Sequence, residues 1–292
     1  MPSRDETPAP AHPAATVVLV RDGGPHPGAL EVFLVERPAT AAFMARAHVF
    51  PGGRVDPGDR DDRLLAIADG AATLAPGPAG NDAALLAPHA IAAVRELFEE
   101  AGVLLARYRD VPSGQSPPQA ELADARAALR SGTTEFATLC MERGWRPALD
   151  RLNPLAHWVT PVPERRRFDT RFFIAAMPHD QEASADGIEA VSGRWVSPSV
   201  ACQQYAAGTL SLAPPTVRTL DDLSTRSSAA DAIRWARTCP HVRALPHPLR
   251  RDGRLWLVLP GDPLHPDHDG PGLRPPTRYV EVDGRWRPAP AD

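Results

Sequence analysis

Residues 91–103 read IAAVRELFEEAGV, and this stretch decides the architecture expected of the chain. Its apolar residues recur at the spacing of one helix face: Ile91, Val94, Leu97, Phe98 and Ala101. Glu96 lies three residues before Glu99 and four before Glu100, so the three carboxylates share another face of the same helix. The pattern therefore predicts an amphipathic helix over residues 89–105 with one acidic side.

The acidic side has two interpretations. Three like charges on one face repel each other, and a hard divalent cation with oxygen ligands would offset that repulsion. Arg95 precedes Glu99 by four residues, the spacing at which an ion pair would steady the carboxylate. A solvated acidic face is the commoner explanation of such a triplet taken alone. The sequence around the helix has to decide between the two.

A glycine turn upstream of the helix supplies that context. Residues 48–53 (HVFPGG) have the pattern of a short strand that leads into a sharp turn. Five residues separate Gly53 from Asp59, and 35 residues separate Asp59 from Arg95. Residues 60–89 are rich in Ala, Asp, Gly and Pro, which is the composition of an inserted segment.

Together the turn and the helix resemble the Nudix box. That family's pattern is Gly, five residues, Glu, seven residues and then Arg-Glu-U-x-Glu-Glu-x-Gly-U, where U is a bulky aliphatic residue. Residues 95–103 match the second half at every specified position, and Gly53 matches the first glycine. Asp59 stands in place of the first glutamate, and about 28 extra residues precede Arg95. Whether Asp59 belongs to the same site is left open.

The resemblance extends to one branch of the superfamily, the coenzyme A diphosphatases. The segments that carry it are 48–56, 158–161 (WVTP), 167–173 (RFDTRFF) and 213–216 (APPT). It implies a hydrolase that uses Mg²⁺ or Mn²⁺ to cleave the pyrophosphate of a nucleoside diphosphate linked to another moiety. Coenzyme A or acyl-CoA as substrate rests on the branch resemblance alone. The alternative is a non-catalytic Nudix-fold nucleotide-binding or sensor module, against which the intact acidic triplet argues.

The resemblance also implies roles for particular residues. Glu96, Glu99 and Glu100 are the expected metal ligands, together with the Gly52 carbonyl, and Arg95 is the ion-pair partner that orients them. The general base is left open among Glu99, Glu96 and the loop carboxylate Glu189.

Substrate binding is expected at Gly53, Arg167 and Arg165. Arg165, Arg166 and Arg167 precede a strand and would clamp the non-hydrolysed end of the substrate, unless they form an exposed basic turn. Phe43, Phe168 and Trp158 would stack on a base, although aromatic residues beside strands are more often core.

The expected fold is a Nudix-like α/β/α sandwich of the α/β (α+β) class, with a mixed sheet. Strands are predicted near residues 15–21, 30–36, 158–160, 170–177 and 193–196, and β-like segments near 254–259 and 278–282. Residues 1–13 are predicted to be a disordered tail and residues 14–225 the Nudix domain. Insertions are expected near 60–89 and, as helices, near 115–150. Residues 226–292 form a C-terminal extension packed on the domain.

Composition excludes several other classes. A net charge of −4 without a basic face argues against nucleic-acid binding, so the expected partner is a small nucleotide-type molecule. Three widely spaced cysteines form no disulfide framework or thiolate metal site. No apolar run has the length of a membrane span, and we expect a cytoplasmic protein, for which a homodimer is compatible with the sequence. An α/β hydrolase is excluded because no G-x-S-x-G elbow occurs. Residues 262–269 (DPLHPDHD) are interpreted as a polar loop rather than a second metal site.

Overall fold

The computed structural model describes residues 8–23, 29–40, 44–74, 83–112, 114–188, 190–240 and 242–290. The strands in these ranges are β1 (Ala11–Gly23), β2 (Ala29–Glu36), β3 (His48–Val49), β4 (Gly52–Arg54), β5 (Ala106–Tyr108), β6 (Trp145–Pro147), β7 (Asn153–Val159), β8 (Arg167–Ala176), β9 (Ser192–Val196), β10 (Arg243–Ala244), β11 (His247–Arg251), β12 (Arg254–Val258), β13 (Arg278–Val282) and β14 (Arg285–Pro288). The α-helices are α1 (Asp62–Ile67), α2 (Ala83–Ala101), α3 (Gln119–Arg130), α4 (Phe136–Arg143), α5 (Pro198–Ala207), α6 (Pro214–Leu223) and α7 (Ala229–Ala236). Short 3-10 helices span Pro57–Arg60, Ala71–Thr73 and Leu149–Arg151.

Strand β1 is the centre of a mixed, eight-stranded sheet. The strand order is β10-β7-β8-β1-β2-β3, with β4 also paired to β1 and β9 to β2. β1 runs parallel to β8, from the pair Ala11–Arg167 to the pair Val20–Ala176, and antiparallel to β2. Val17 and Val18 point to opposite faces, yet both are fully buried. Both faces of the sheet are therefore covered.

Helices form the two covering layers. The Nudix helix α2, with α3 and α4 beside it, packs its Leu97 and Phe98 on the face that carries Val17 and Phe173. Helices α5, α6 and α7 pack on the opposite face, against residues such as Val18 and Ile174 in adjacent strands. The predicted α/β/α sandwich with a mixed sheet is thereby confirmed.

Helix α2 begins earlier than the sequence pattern predicts. It starts at Ala83 instead of His89 and includes Pro88. A proline removes one intrahelical hydrogen bond, so the pattern favoured a start after it. Leu86 and Ala87 are buried in the core, and this packing holds the extra turns in place. At the other end, Gly102 (φ +70°) follows the helix in the left-handed conformation that glycine tolerates best.

The N-terminal segment also differs from its prediction. β1 begins at Ala11, so residues 11–13 belong to the sheet and not to a disordered tail. Parallel pairing with β8 extends the strand, since Ala11, His12 and Pro13 lie opposite Arg167, Phe168 and Asp169. Residues 1–7 lie outside the described part of the chain.

The C-terminal extension combines α7 with an antiparallel sheet in the order β11-β12-β13-β14. β13 and β14 are joined by Asp283 and Gly284, both at positive φ (54° and 72°), as a two-residue type I′ hairpin requires. This sheet contacts α5 at Tyr205, whose hydroxyl donates to the Trp286 carbonyl at 3.0 Å and accepts from the Trp286 amide at 2.7 Å. None of the helices within the described ranges combines the length and apolarity that crossing a membrane requires.

Candidate active site

The glycine turn and α2 meet at the edge where β4 joins β1. The Gly52 amide donates to Glu100 Oε2 at 2.9 Å. A Cβ on Gly53 would lie 2.6 Å from Cδ of Glu96, and a Cβ on Gly52 would lie 2.7 Å from Cα of Thr16. Only glycine lets the turn pass this close to the helix and to β1. The two halves of the interrupted motif therefore come together.

Arg95 is the centre of the site. Its side chain is only 9% exposed and is surrounded by acceptors. Its guanidinium donates to Asp59 Oδ1 (2.9 Å) and Oδ2 (2.8 Å), Glu96 Oε1 (2.8 Å), Glu99 Oε1 (3.2 Å) and the Arg54 carbonyl (2.9 Å). This fork-to-fork contact with Asp59, together with the other acceptors, fixes the guanidinium in one orientation. The predicted orienting role of Arg95 has a geometric basis.

Asp59, in the first half of the interrupted motif, holds Arg95 and the turn in place through hydrogen bonds. It is 1% exposed and accepts both from Arg95 and from the Asp56 amide, at 2.8 Å, in the capping box of the 3-10 helix Pro57–Arg60. Both carboxylate oxygens are thus committed to holding the turn and Arg95. The sequence left the role of Asp59 open, and the contacts make it an anchor for Arg95.

Burial perturbs the protonation of the two neighbours Arg95 and Glu96. Burial alone would lower the pKa of Arg95, but the hydrogen bonds to Asp59 and the negative charges of Glu96 and Glu99 raise it well above its ordinary value. Burial raises the pKa of Glu96 to about 7, because Arg95 offsets the loss of water only in part and Glu99 adds repulsion. Three carboxylates therefore share one arginine, and without another cation Glu96 favours its protonated form.

A divalent cation fits this imbalance. The resemblance to the Nudix box implies a divalent metal ion, and the acidic side chains here offer oxygen ligands, which hard cations prefer. Among the residues that the structure describes, no three His, Cys, Asp or Glu side chains are already arranged as a metal site. Glu96 and Glu99 each turn one oxygen to Arg95, and Glu100 turns one to Gly52. The fit rests on the oxygen donors and on the excess of carboxylates over cations around Arg95.

The expected substrate arginines are placed differently from one another. Arg167 is buried and donates to the backbone carbonyls of Ala9 (2.7 Å) and Thr160 (3.2 Å), so it ties the N-terminal segment to the turn before β8. Arg165 is exposed on that turn. Glu189, the candidate loop base, lies outside the described residues.

Two further hypotheses concern groups away from the glycine turn. In residues 262–269, Asp262 is fully buried against Arg278 (2.8 Å), and His265 Nε2 lies 2.9 Å from the Leu245 carbonyl, as in a structural loop. Trp158 is buried in the core that faces α5–α7, and Phe43 lies outside the described residues.

A polar cluster that the sequence analysis did not single out lies on the α2 side of the sheet. We call it the Arg171 cluster: Arg171 and Asp169 of β8, His157 of β7, Arg243 of β10 and His89 of α2. His157 Nε2 lies 2.6 Å from Asp169 Oδ1, and Arg171 Nε lies 4.0 Å from the same oxygen. Strand alternation was the available signal, because residues 169, 171 and 173 share one face and Phe173 is core.

Comparisons with known proteins agree with this arrangement. A sequence model of the NUDT19 Nudix domain matches residues 81–223. The chain is similar to the acyl-coenzyme A diphosphatase NUDT19 of Gallus gallus, with 31% identity over 281 residues that cover 81% of this chain and 73% of that protein. The chain belongs to the NUDT19 family of Nudix hydrolases. The Homo sapiens relative of the same name is 30% identical over 269 residues, covering 80% of this chain and 72% of that protein.

A solved structure shows the same fold. The NUDIX hydrolase from Alicyclobacillus acidocaldarius superposes with a TM-score of 0.66 at 28% identity, covering 77% of this chain and 96% of that one. The chain is accordingly a Nudix-type diphosphatase, and the prediction of an enzyme is confirmed over that of a sensor module.

Proposed function

We propose that this Nudix hydrolase cleaves the pyrophosphate linkage of coenzyme A or acyl-CoA. The observation that carries the proposal is the convergence of Glu96, Glu99 and Glu100 on the Gly52–Gly53 turn around a fixed Arg95. The substrate class follows from the relatives named acyl-coenzyme A diphosphatase, at 30–31% identity over most of the chain. The reaction would give a 3′,5′-nucleoside bisphosphate and phosphopantetheine or its acyl derivative.

Residues Glu96, Glu99 and Glu100, with the Gly52 carbonyl, would hold Mg²⁺ or Mn²⁺. When bound, the cation neutralises charge on the pyrophosphate oxygens and lowers the pKa of a coordinated water. Arg95 does not need to touch the substrate, because its contacts with Asp59, Glu96 and Glu99 already account for its donors.

The general base remains a choice among carboxylates, and we favour Glu99. Its side chain is 24% exposed, against 10% for Glu96, so it reaches solvent more readily. In this role Glu99 accepts a proton from the water whose oxygen attacks phosphorus as the P–O–P bond breaks. Glu96 and Glu189 are the alternatives.

Substrate positioning is assigned to the turn backbone and to nearby arginines. Gly53 would contribute its backbone, since the space where a side chain would stand is filled by the Glu96 carboxylate. Arg165 is exposed and available as a phosphate contact, whereas the proposed contact at Arg167 would compete with its bonds to Ala9 and Thr160.

The experiment is a substrate panel. The purified chain is incubated with coenzyme A, acetyl-CoA, NADH, ADP-ribose and a nucleoside triphosphate, each with Mg²⁺, with Mn²⁺ or with a chelator, and products are resolved by mass. Phosphopantetheine or its acyl form should appear from the first two substrates only when a metal is present. Preferred cleavage of any of the other three substrates would overturn the substrate assignment. A cytoplasmic location and a homodimer stay predictions from the sequence.

A further inference from the structure

One row of residues crosses the sheet beside the candidate active site. Gly53 of β4 pairs with Ala15 of β1, Ala15 with Arg171 of β8, Arg171 with His157 of β7, and His157 with Arg243 of β10. Paired residues on adjacent strands point to the same face. This face is the one that α2 covers, because Ala15 belongs to the core beneath α2. The Arg171 cluster and the catalytic carboxylates therefore share one side of the sheet.

Two independent spacings give the separation between them. Arg171 is two strands from Gly53, which is about 10 Å at 4.8 Å per strand. On α2, His89 is seven residues before Glu96 on the same stripe, which is also about 10 Å at 1.5 Å per residue. Glu96 faces Gly53, and the charges of Arg171 and Asp169 act on His89. The distance along α2 from Glu96 to His89 therefore matches the distance across the sheet from Gly53 to Arg171.

The guanidinium of Arg171 has few hydrogen-bond acceptors around it. Its side chain is 20% exposed, and its buried Nε has no hydrogen-bond acceptor among the described residues. The nearest carboxylate, Asp169, is 4.0 Å away and already lies within hydrogen-bond distance of His157. Burial lowers the pKa of Arg171, and Asp169 offsets this only in part while Arg243 adds to it. A buried donor left in this state is costly unless an anion reaches it.

The surroundings are positively charged and open to solvent. Arg243 is exposed beside the cluster and acts electrostatically on Asp169 and Arg171. Arg60, which follows Asp59, is also exposed and acts on His89. Two guanidinium groups, those of Arg171 and Arg243, thus act on the single carboxylate of Asp169, and Arg60 adds a third positive charge near His89. The positive charge around the Arg171 cluster attracts anions.

We propose that Arg171, with Arg243 beside it, binds a phosphate monoester that the substrate carries in addition to its diphosphate. The proposal rests on the proposed function, and in coenzyme A this group is the 3′-phosphate of the ribose. Six covalent bonds join that phosphorus to the nearer phosphorus of the diphosphate, so their separation is below about 9 Å at roughly 1.5 Å per bond. A diphosphate at Glu96 and Glu99 therefore places the 3′-phosphate within reach of Arg171.

The first test compares coenzyme A with dephospho-coenzyme A, which lacks only the 3′-phosphate. In the parent enzyme with Mg²⁺, kcat/KM should favour coenzyme A. Arg171→Gln should lower kcat/KM for coenzyme A by about 10- to 100-fold, as expected for a lost charged hydrogen bond. It should change the value for dephospho-coenzyme A by less than about twofold, and Arg171→Lys should restore part of the preference. The matched control is Arg250→Gln, an exposed arginine on β11 of the C-terminal sheet.

The second test separates this inference from the proposed function. Binding of adenosine 3′,5′-bisphosphate and of AMP to the full chain is measured by calorimetry with a chelator present. A preference for the bisphosphate that Arg171→Gln abolishes supports the phosphate subsite even if coenzyme A is not cleaved. Equal affinities in the parent, or an equal loss on both ligands in Arg171→Gln, would overturn the subsite. Absence of coenzyme A cleavage together with an intact preference would refute the proposed function alone.

Discussion

Arg95 of α2 and Arg171 of β8 are two largely buried arginines on the same side of the sheet. Arg95 donates to three carboxylates and a backbone carbonyl. Arg171 has one carboxylate at 4.0 Å and an Nε without an acceptor among the described residues. The same side chain thus serves two purposes. Where acceptors are plentiful, arginine organises the site, and where they are scarce, it is left for a ligand.

The carboxylates around Arg95 provide the largest expected effect. Glu99→Gln keeps the size of the side chain but removes its charge, and turnover should fall by at least about a hundredfold, the order expected when a charge-stabilising group leaves an active site. Initial rates at saturating substrate and Mg²⁺ measure this. Glu142→Gln, on the exposed side of α4, is the matched control and should retain the parent rate. Parent-like turnover in Glu99→Gln would remove Glu99 from the chemistry.

The acceptors of the two arginines should also differ in their value for stability. Asp59→Ala leaves Arg95 without its bidentate partner and should cost about 3–5 kcal/mol of unfolding free energy, as for breaking a buried ion pair. Asp169→Ala should cost only about 1–2 kcal/mol, because its side chain is 32% exposed, meets Arg171 at long range and has its one close contact with His157. Urea unfolding of both variants compares them directly. Equal losses would contradict the distinction between an organising and an available arginine.

The closeness of the glycine turn to Glu96 can be tested without changing any charge. Gly53→Ala places a Cβ against the Glu96 carboxylate, which must move, and kcat should fall by about tenfold or more. Gly58→Ala is the control, since a Cβ there meets nothing within 4 Å. Steady-state kinetics on both variants decide the matter. If the two alanine variants have the same kcat, the turn does not set the position of Glu96.

The last prediction concerns the raised pKa of Glu96. Its pKa in the folded chain is about 7, against an ordinary 4.5, so between these values the folded state holds a proton that the unfolded state has released. The metal-free protein should therefore lose stability as pH rises from about 5 to 7, by at most about 1.4 kcal/mol per pH unit from this group. Denaturant unfolding with a chelator measures the slope. Glu96→Gln should flatten it, and an unchanged slope would show that Glu96 is not the titrating group.

The sequence predicted the half of the site that lies on one element. Glu96, Glu99 and Glu100 share a helix face by periodicity, and periodicity survives folding because α2 is a single rigid helix. The Gly52–Gly53 turn was predicted as well, since only glycine suits a backbone that passes this close to β1 and α2.

Relationships between distant elements were beyond the sequence pattern. Because 35 residues separate Asp59 from Arg95, the sequence does not show whether the Asp59 carboxylate faces a metal or an arginine. The structure shows that Arg95 donates to both of its oxygens. Arg167 and Arg171 are four residues apart on one strand, and the local sequence does not distinguish their surroundings. Arg167 donates to the Ala9 carbonyl, whereas Arg171 stands opposite His157 of β7. Neither neighbour is specified by the local sequence. Short strands such as β3 and β10 have only two residues each, too few for any alternation to be visible.

The parallel pairing of β1 with β8 constrains the order in which the sheet can form. Ala11 pairs with Arg167 and Val20 with Ala176, so the central strand of the sheet is synthesised well before its parallel partner and must wait for it. At typical synthesis rates that interval lasts roughly ten to thirty seconds. During it, β2, β4 and α2 are available to pack on β1, but the edge of β1 that will pair with β8 has no partner strand. An exposed apolar strand edge invites association with other chains. The edge of β1 is therefore prone to aggregation while the chain is being made, and the strand that later covers it is the one that carries Arg171.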